Sequence, residues 1–224
     1  MIYDPASLGQ TDRYKLMIGG VVPRPIALVS TCSPDGRTNL APFSFFAGVG
    51  SNPMTLLFCP ANDERGQEKD SLRNAKPVSE GGVGQFVVNI VPFSHAHQMA
   101  ACAEPLPHGE SEFDLSGFTP SPCEVVSPPR VAQCPVSYEC ITRQVIRTNP
   151  GQPAGGNIVI GEVVRVHVRD DLIDERHRID QAKLDAIGRM GGPAAYCTTR
   201  ERFEVPSGRA ALGDTPASRP RPPA

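Results

Sequence analysis

The sequence predicts a mainly β fold, an antiparallel Greek-key-like barrel with a few inserted helices. Three observations lead there. Apolar, β-branched runs recur at 26–32, 85–91, 136–146 and 158–168. Clusters of Pro, Gly, Asn and Asp, such as Ser33-Pro34-Asp35-Gly36 and Asn52-Pro53, punctuate them with turn chemistry. The runs are not separated by regular 10–15-residue helical patterns, which argues against a doubly wound parallel sheet.

Taken in order, 10–20 (QTDRYKLMIGG) reads as a short helical lead-in ending at Gly19-Gly20. The stretch 26–32 is a strand, and 38–47 is its expected hairpin partner across the turn at 33–36. A short strand follows at 54–59, then a polar loop at 63–67. A short helix is expected from Ser71 to about Ala75, capped by Asp70 or Ser71. The run 85–91 (QFVVNIV) is a strand. From Pro92 the spacing turns helical, with Phe93, Ala96, Met99 and Ala100 on one face. An acidic, proline-rich connection at 105–129 is expected to fold over the core. The last long strands are 136–146 and 158–168, the second alternating from Val164 onward.

At 224 residues the chain suits one medium domain with a sizeable core. We place that domain at 1–206 and read 207–224 as a disordered, proline-rich tail, too polar to offset its ordering entropy. A hydrophobic content of 39%, a charge content of 21% and a formal charge of −2 describe a soluble protein. They give no electrostatic case for nucleic acid or an anionic membrane surface. No apolar run approaches the roughly 20 residues of a membrane span. The N-terminus carries no basic region followed by an apolar one, so no secretory signal is expected. Seven cysteines without a CxxC pair read as buried free thiols in a reducing cytoplasm.

Two stretches carry chemistry. In 39–46 (NLAPFSFF) small polar residues alternate with aromatics, and a proline breaks the ladder. A core strand has little reason for Asn, Pro and Ser there, whereas a ligand-lining strand does. Phe43, Phe45 and Phe46 cannot all face one side, so one is expected to pack inward while another borders a ligand or a partner subunit. In 65–71 (RGQEKDS) Lys69 stands beside a helix start and Ser71 adds a hydroxyl. That combination suits a phosphate, although a lysine in such a place is more often a solvated surface residue.

The segments VPRPIALVST (22–31), DGRTNLAPFSFF (35–46) and SNP (51–53) resemble the flavin reductase-like family with an FMN-binding split barrel, in its flavoredoxin-like subgroup. KDSLRNA (69–75), FVVNIV (86–91), ESEFDLSGFTP (110–120), IGEVVRVHV (160–168) and GRMGGPAAY (188–196) are similar to its later segments, in order. The resemblance covers roughly residues 15–205.

It implies a six-stranded antiparallel Greek-key split β-barrel that forms a homodimer and holds FMN near the subunit interface. It places Ser30 and Thr31 next to the flavin. Asn39, Ala41, Pro42, Ser44, Phe45 and Phe46 would border the ribityl chain and ring, and Lys69 and Ser71 would bind the phosphate. Arg189 and Tyr196 would approach the ring or phosphate, with Arg24 either there or in packing or the dimer contact. The implied activity is an FMN-dependent oxidoreductase. It passes reducing equivalents from NADH or NADPH through FMN to a flavin, an electron-acceptor protein or a small molecule. The alternative is an FMN-binding electron carrier without its own nicotinamide site. Because a flavin brings its own redox chemistry, no catalytic side chain is assigned.

One departure stands out. Reductases of this family that serve two-component monooxygenases often carry Gly-Asp-His before the last strand, and here the stretch is Gly155-Gly156-Asn157. His95 and His97, two apart, face different ways on a helix and make no metal pair. The run Asp174-Glu175-Arg176-His177-Arg178 reads as a solvated, salt-bridged loop or helix start.

Overall fold

The computed structural model describes residues 1–107 and 110–212. Twelve strands and five α-helices follow in chain order. The strands are β1 (Arg24–Pro25), β2 (Ala27–Cys32), β3 (Thr38–Phe43), β4 (Phe46–Ser51), β5 (Met54–Phe58) and β6 (Gln85–Ile90). Then come β7 (Pro120–Ser121), β8 (Arg130–Val131), β9 (Val136–Arg147), β10 (Asn157–Val168), β11 (Ile187–Arg189) and β12 (Tyr196–Thr198). The helices are α1 (Gln10–Gly20), α2 (Asp70–Ala75), α3 (Ala96–Ala101), α4 (Glu112–Ser116) and α5 (Gln181–Leu184).

The main sheet is antiparallel and runs β3-β2-β6-β9-β10-β5-β4. It has seven strands where six were expected, and among the described residues no ladder joins its edges β3 and β4. A second sheet, β1-β11-β12, sets Arg24 opposite Arg189 and Arg189 opposite Tyr196.

Strand β2 is buried on both faces, which is why 26–29 reads as a continuous apolar run and not an alternation. Leu28 joins Ile26, Leu40, Met99, Phe113 and Val131 in a core beneath α3 and α4. Ala27 and Val29 join Phe58, Leu72, Phe86 and Val88 in a second core beneath α2. Strands β9 and β10 pair over twelve residues with register shifts at Ile160/Gly161 and Val163/Arg165. At Gly161 a Cβ would fall 2.4 Å from Phe86 Cζ, so only glycine lets that ring cross the strand.

Several local expectations change. The stretch 38–47 is not one strand: β3 ends at Phe43, and β4 leaves to pair with β5 at the far edge. Cys59 N–H fixes the break by donating to Phe45 O at 2.9 Å. The cap of α2 is Lys69, whose carbonyl accepts from Leu72 and Arg73 N–H, because the Ser71 hydroxyl is turned inward. Of the four residues expected to share a face, only Ala96 and Met99 pack on the core. Phe93 sits in a preceding 3-10 turn, exposed, with Arg200 stacked 4.5 Å from its centroid, and Ala100 is exposed too. Of the tail expected to be disordered, Gly208–Leu212 forms a 3-10 turn and 213–224 lies outside the described residues. No helix is long and apolar enough to cross a membrane among the described residues.

Candidate functional site

Edge strand β3 organises the site. Leu40 N–H points away from β2 and donates to Glu112 Oε2 at 2.8 Å. By the alternation of an antiparallel ladder, Pro42 lies in the same outward register, so its missing N–H costs β2 no hydrogen bond. The residues whose partners are Thr31, Val29 and Ala27, namely Asn39, Ala41 and Phe43, share the α2 side of the strand.

At one end of β3 lies a buried polar cluster. Asn39 Nδ2 donates to Ser71 Oγ at 3.0 Å and to Thr31 Oγ1 at 3.3 Å. Asn74 Nδ2 also donates to Thr31 Oγ1, at 3.1 Å. All four side chains are buried. Lys69 caps the adjoining helix and is exposed. Among the described residues it forms no ion pair, whereas its neighbours do: Arg73 pairs with Asp70, and Lys76 and Arg147 with Glu68. Lys69 therefore keeps its charge available for an outside anion. The sequence reading missed Asn74, although its spacing of three from Ser71 places both on one face of α2.

At the other end, Ser44 and Phe45 meet the small sheet. Arg24, 3% exposed, donates from Nε to Ser44 Oγ at 3.1 Å and from its terminal nitrogens to the carbonyls of Ile18, Val21 and Met190. Its guanidinium carbon lies 5.8 Å from the Phe45 centroid. Arg189 donates to the carbonyls of Ala195, Gly192 and Pro193 and lies 4.6 Å from the Tyr196 centroid. Between the ends, Ala41, Pro42, Ser44, Phe45 and Phe46 are half-buried. Phe43 turns inward onto Phe58, centroids 5.1 Å apart, and Phe46 packs against the same core. Of the three rings, Phe45 is the one left over the arginine.

Ser30 stands apart. Strand alternation puts it on the face opposite Thr31, fully buried, donating to Pro129 O and accepting from Asn89. The structure does not bring it together with the other residues, and a period of two already separates neighbours 30 and 31.

Two buried carboxylates frame the sheet with opposite titration. Burial pushes Glu112 above the usual carboxylate range, the Leu40 and Glu112 N–H groups oppose it, and Asp70 adds to the rise. Burial would also raise Glu139, but the N–H groups of Glu124, Val125 and Val126 and the His167 ring outweigh it and bring its pKa down to about 2. Gly155-Gly156-Asn157 carries no titratable group. Asn157 is buried, donating to Pro60 O at 2.8 Å and Asn62 Oδ1 at 2.9 Å.

The family model described as "Flavin reductase like domain" matches residues 18–200. The chain belongs to the flavin reductase-like family. A relative in this family, an uncharacterized protein of Deinococcus radiodurans, is 38% identical over 210 residues, 91% of this chain and 88% of that protein. Nitrilotriacetate monooxygenase component B from Bacillus cereus superposes with a TM-score of 0.84 at 33% identity, covering 92% of this chain and 98% of the other. The 2-nitrobenzoate 2-nitroreductase NbaA of Pseudomonas fluorescens gives 0.77 at 30% identity, covering 93% and 96%. As a member of the flavin reductase-like family, the chain is tied to flavin-linked redox chemistry, on the mainly β fold expected.

Proposed function

We propose that the protein is an FMN-dependent oxidoreductase that takes reducing equivalents from NADH or NADPH and passes them to a flavin, a protein or a small acceptor. The observation that carries this reading is the pair of ends of β3. Exposed Lys69, which forms no ion pair among the described residues, suits a phosphate beside buried Ser71 and Asn39. The half-buried Phe45 with Arg24, Arg189 and Tyr196 suits a flat ring with carbonyl edges. Asn39 and Ser44 are five positions apart, roughly 17 Å at a strand's rise. That span accommodates a phosphate, a ribityl chain and the near edge of a ring laid along the strand.

The residues present fit FMN. When bound, the flavin supplies hydride and electron chemistry. The chain's own residues hold the phosphate, shape the ring pocket and limit water. Exposed Tyr14 and Met17 on α1, and Val49 and Met54 at the β4–β5 edge, leave apolar surface for a second copy and support a homodimer.

A second reading is favoured by Asn157. Its buried amide occupies the place where reductases that serve two-component monooxygenases often carry the histidine of Gly-Asp-His, and it serves the loop instead. An electron carrier without a nicotinamide site would look the same there. The test is anaerobic mixing of the FMN-loaded protein with NADH and, separately, NADPH. Rapid bleaching of the flavin band supports the reductase. Bleaching by dithionite alone supports the carrier.

A further inference from the structure

We infer that Arg24, with Arg189 beside it, makes the ring end of the site electropositive enough to hold reduced flavin more tightly than oxidised flavin. The inference rests on the flavin reading above.

Arg24 is among the most buried charged residues of the chain, yet all its partners are neutral: three carbonyls and the Ser44 hydroxyl. Arg189 is its partner across the β1–β11 ladder and also donates only to carbonyls. Among the described residues neither pairs with a carboxylate, whereas the more exposed Arg73, Arg147 and Arg200 all do. The donors of Arg24 are satisfied, partly by carbonyls at the C-terminal end of α1, where a helix favours a cation. Its net charge is not cancelled. A buried cation left without a counter-charge is costly, and any anion brought close to it is correspondingly favoured. Arg24, buried, and Arg189, half-buried, stand opposite each other in the ladder, one beside Phe45 and the other beside Tyr196.

Reduction by a hydride adds two electrons and one proton to the flavin ring, so the ring gains one negative charge. The phosphate and ribityl contacts are the same in both redox states and cancel in the ratio of affinities. The charge at the ring end does not cancel, because a fixed cation in a partly desolvated site interacts with the new anion more strongly than with the neutral ring. Arg24 is thus a positioning residue that acts through its field and through its hold on Ser44, α1 and Met190.

The test is an anaerobic titration of the full chain with oxidised FMN and with dithionite-reduced FMN, in wild type, Arg24→Gln and Arg24→Lys. The expected result is that wild type binds reduced FMN about tenfold more tightly, equivalent to about 30 mV for a two-electron couple. Arg24→Gln should lose most of that preference and Arg24→Lys keep it. Equal affinities in wild type, or an unchanged ratio in Arg24→Gln, overturn the inference while leaving the flavin site standing. Failure of wild type to bind FMN in either state removes the flavin reading itself, and this inference with it. If Arg24→Gln does not fold, the wild-type ratio decides alone.

Discussion

Asn39 Nδ2 donates to Ser71 Oγ across 3.0 Å, joining the open edge of the seven-stranded sheet to the first turn of α2. A single buried hydrogen bond thereby links the strand that would carry the ring and ribityl contacts to the helix start that would carry the phosphate contacts. Replacing Ser71 by Ala leaves the Asn39 amide short of an acceptor in a buried setting. We expect a loss of about 1–2 kcal/mol in urea-unfolding stability together with weaker FMN binding. Unchanged stability would show that the cluster is more open to water than its burial indicates.

Lys69 makes the opposite prediction. It is exposed and unpaired among the described residues, so Lys69→Ala should leave stability within about 0.5 kcal/mol. FMN affinity should fall about tenfold, the scale of one charge-assisted contact, while riboflavin, which lacks the phosphate, should bind equally well to both proteins. Fluorescence titrations with the two flavins read this directly. Equal losses for FMN and riboflavin would take Lys69 off the phosphate.

Acid should act through Glu139. Its folded pKa lies near 2, below that of an unfolded glutamate, so its contribution to stability is present above the unfolded value and is lost as pH falls through the folded one. The contribution is on the order of 3 kcal/mol, fading between about pH 4.5 and pH 2. Glu139→Gln should therefore be less stable than wild type at pH 7, and the gap should close as the pH drops. A gap that stays constant with pH would contradict this assignment.

Glu112 should behave in reverse. Its folded pKa is raised by burial, so the ionised form is disfavoured in the folded state, and stability from this group is present at low pH and lost as pH rises through the folded value. Gln at this position keeps an acceptor for Leu40 N–H. We expect Glu112→Gln to match or exceed wild-type stability at pH 7 and to lose any advantage in acid. Thermal melts of both variants across pH 2 to 8 separate the two carboxylates.

The sequence made most of this legible where pattern and geometry share a period. The unbroken apolar run at 26–29 signalled a strand, and β2 is one, buried on both faces and feeding two cores. The mixture of Asn, Pro, Ser and Phe in 39–46 signalled a strand that is not plain core, and β3 lies at the edge of the sheet. Two things were not legible. The break at Ser44–Phe45 depends on Cys59 N–H reaching back from β5, a partner that no local rule supplies. The burial of Arg24 depends on three carbonyls spread between Ile18 and Met190. The separation of Ser30 from Thr31 was readable from strand alternation alone, but position in a motif does not reveal which face a residue takes.

In the proposed function, β3 and the start of α2 form one FMN site. Equilibrium titration of the purified chain, stripped of any flavin, with FMN tests it most directly. Saturable binding of one FMN per chain is expected, with a shifted visible band and an affinity that drops about tenfold in Lys69→Ala. A chain that leaves the spectrum and fluorescence of added FMN unchanged at every concentration would contradict it.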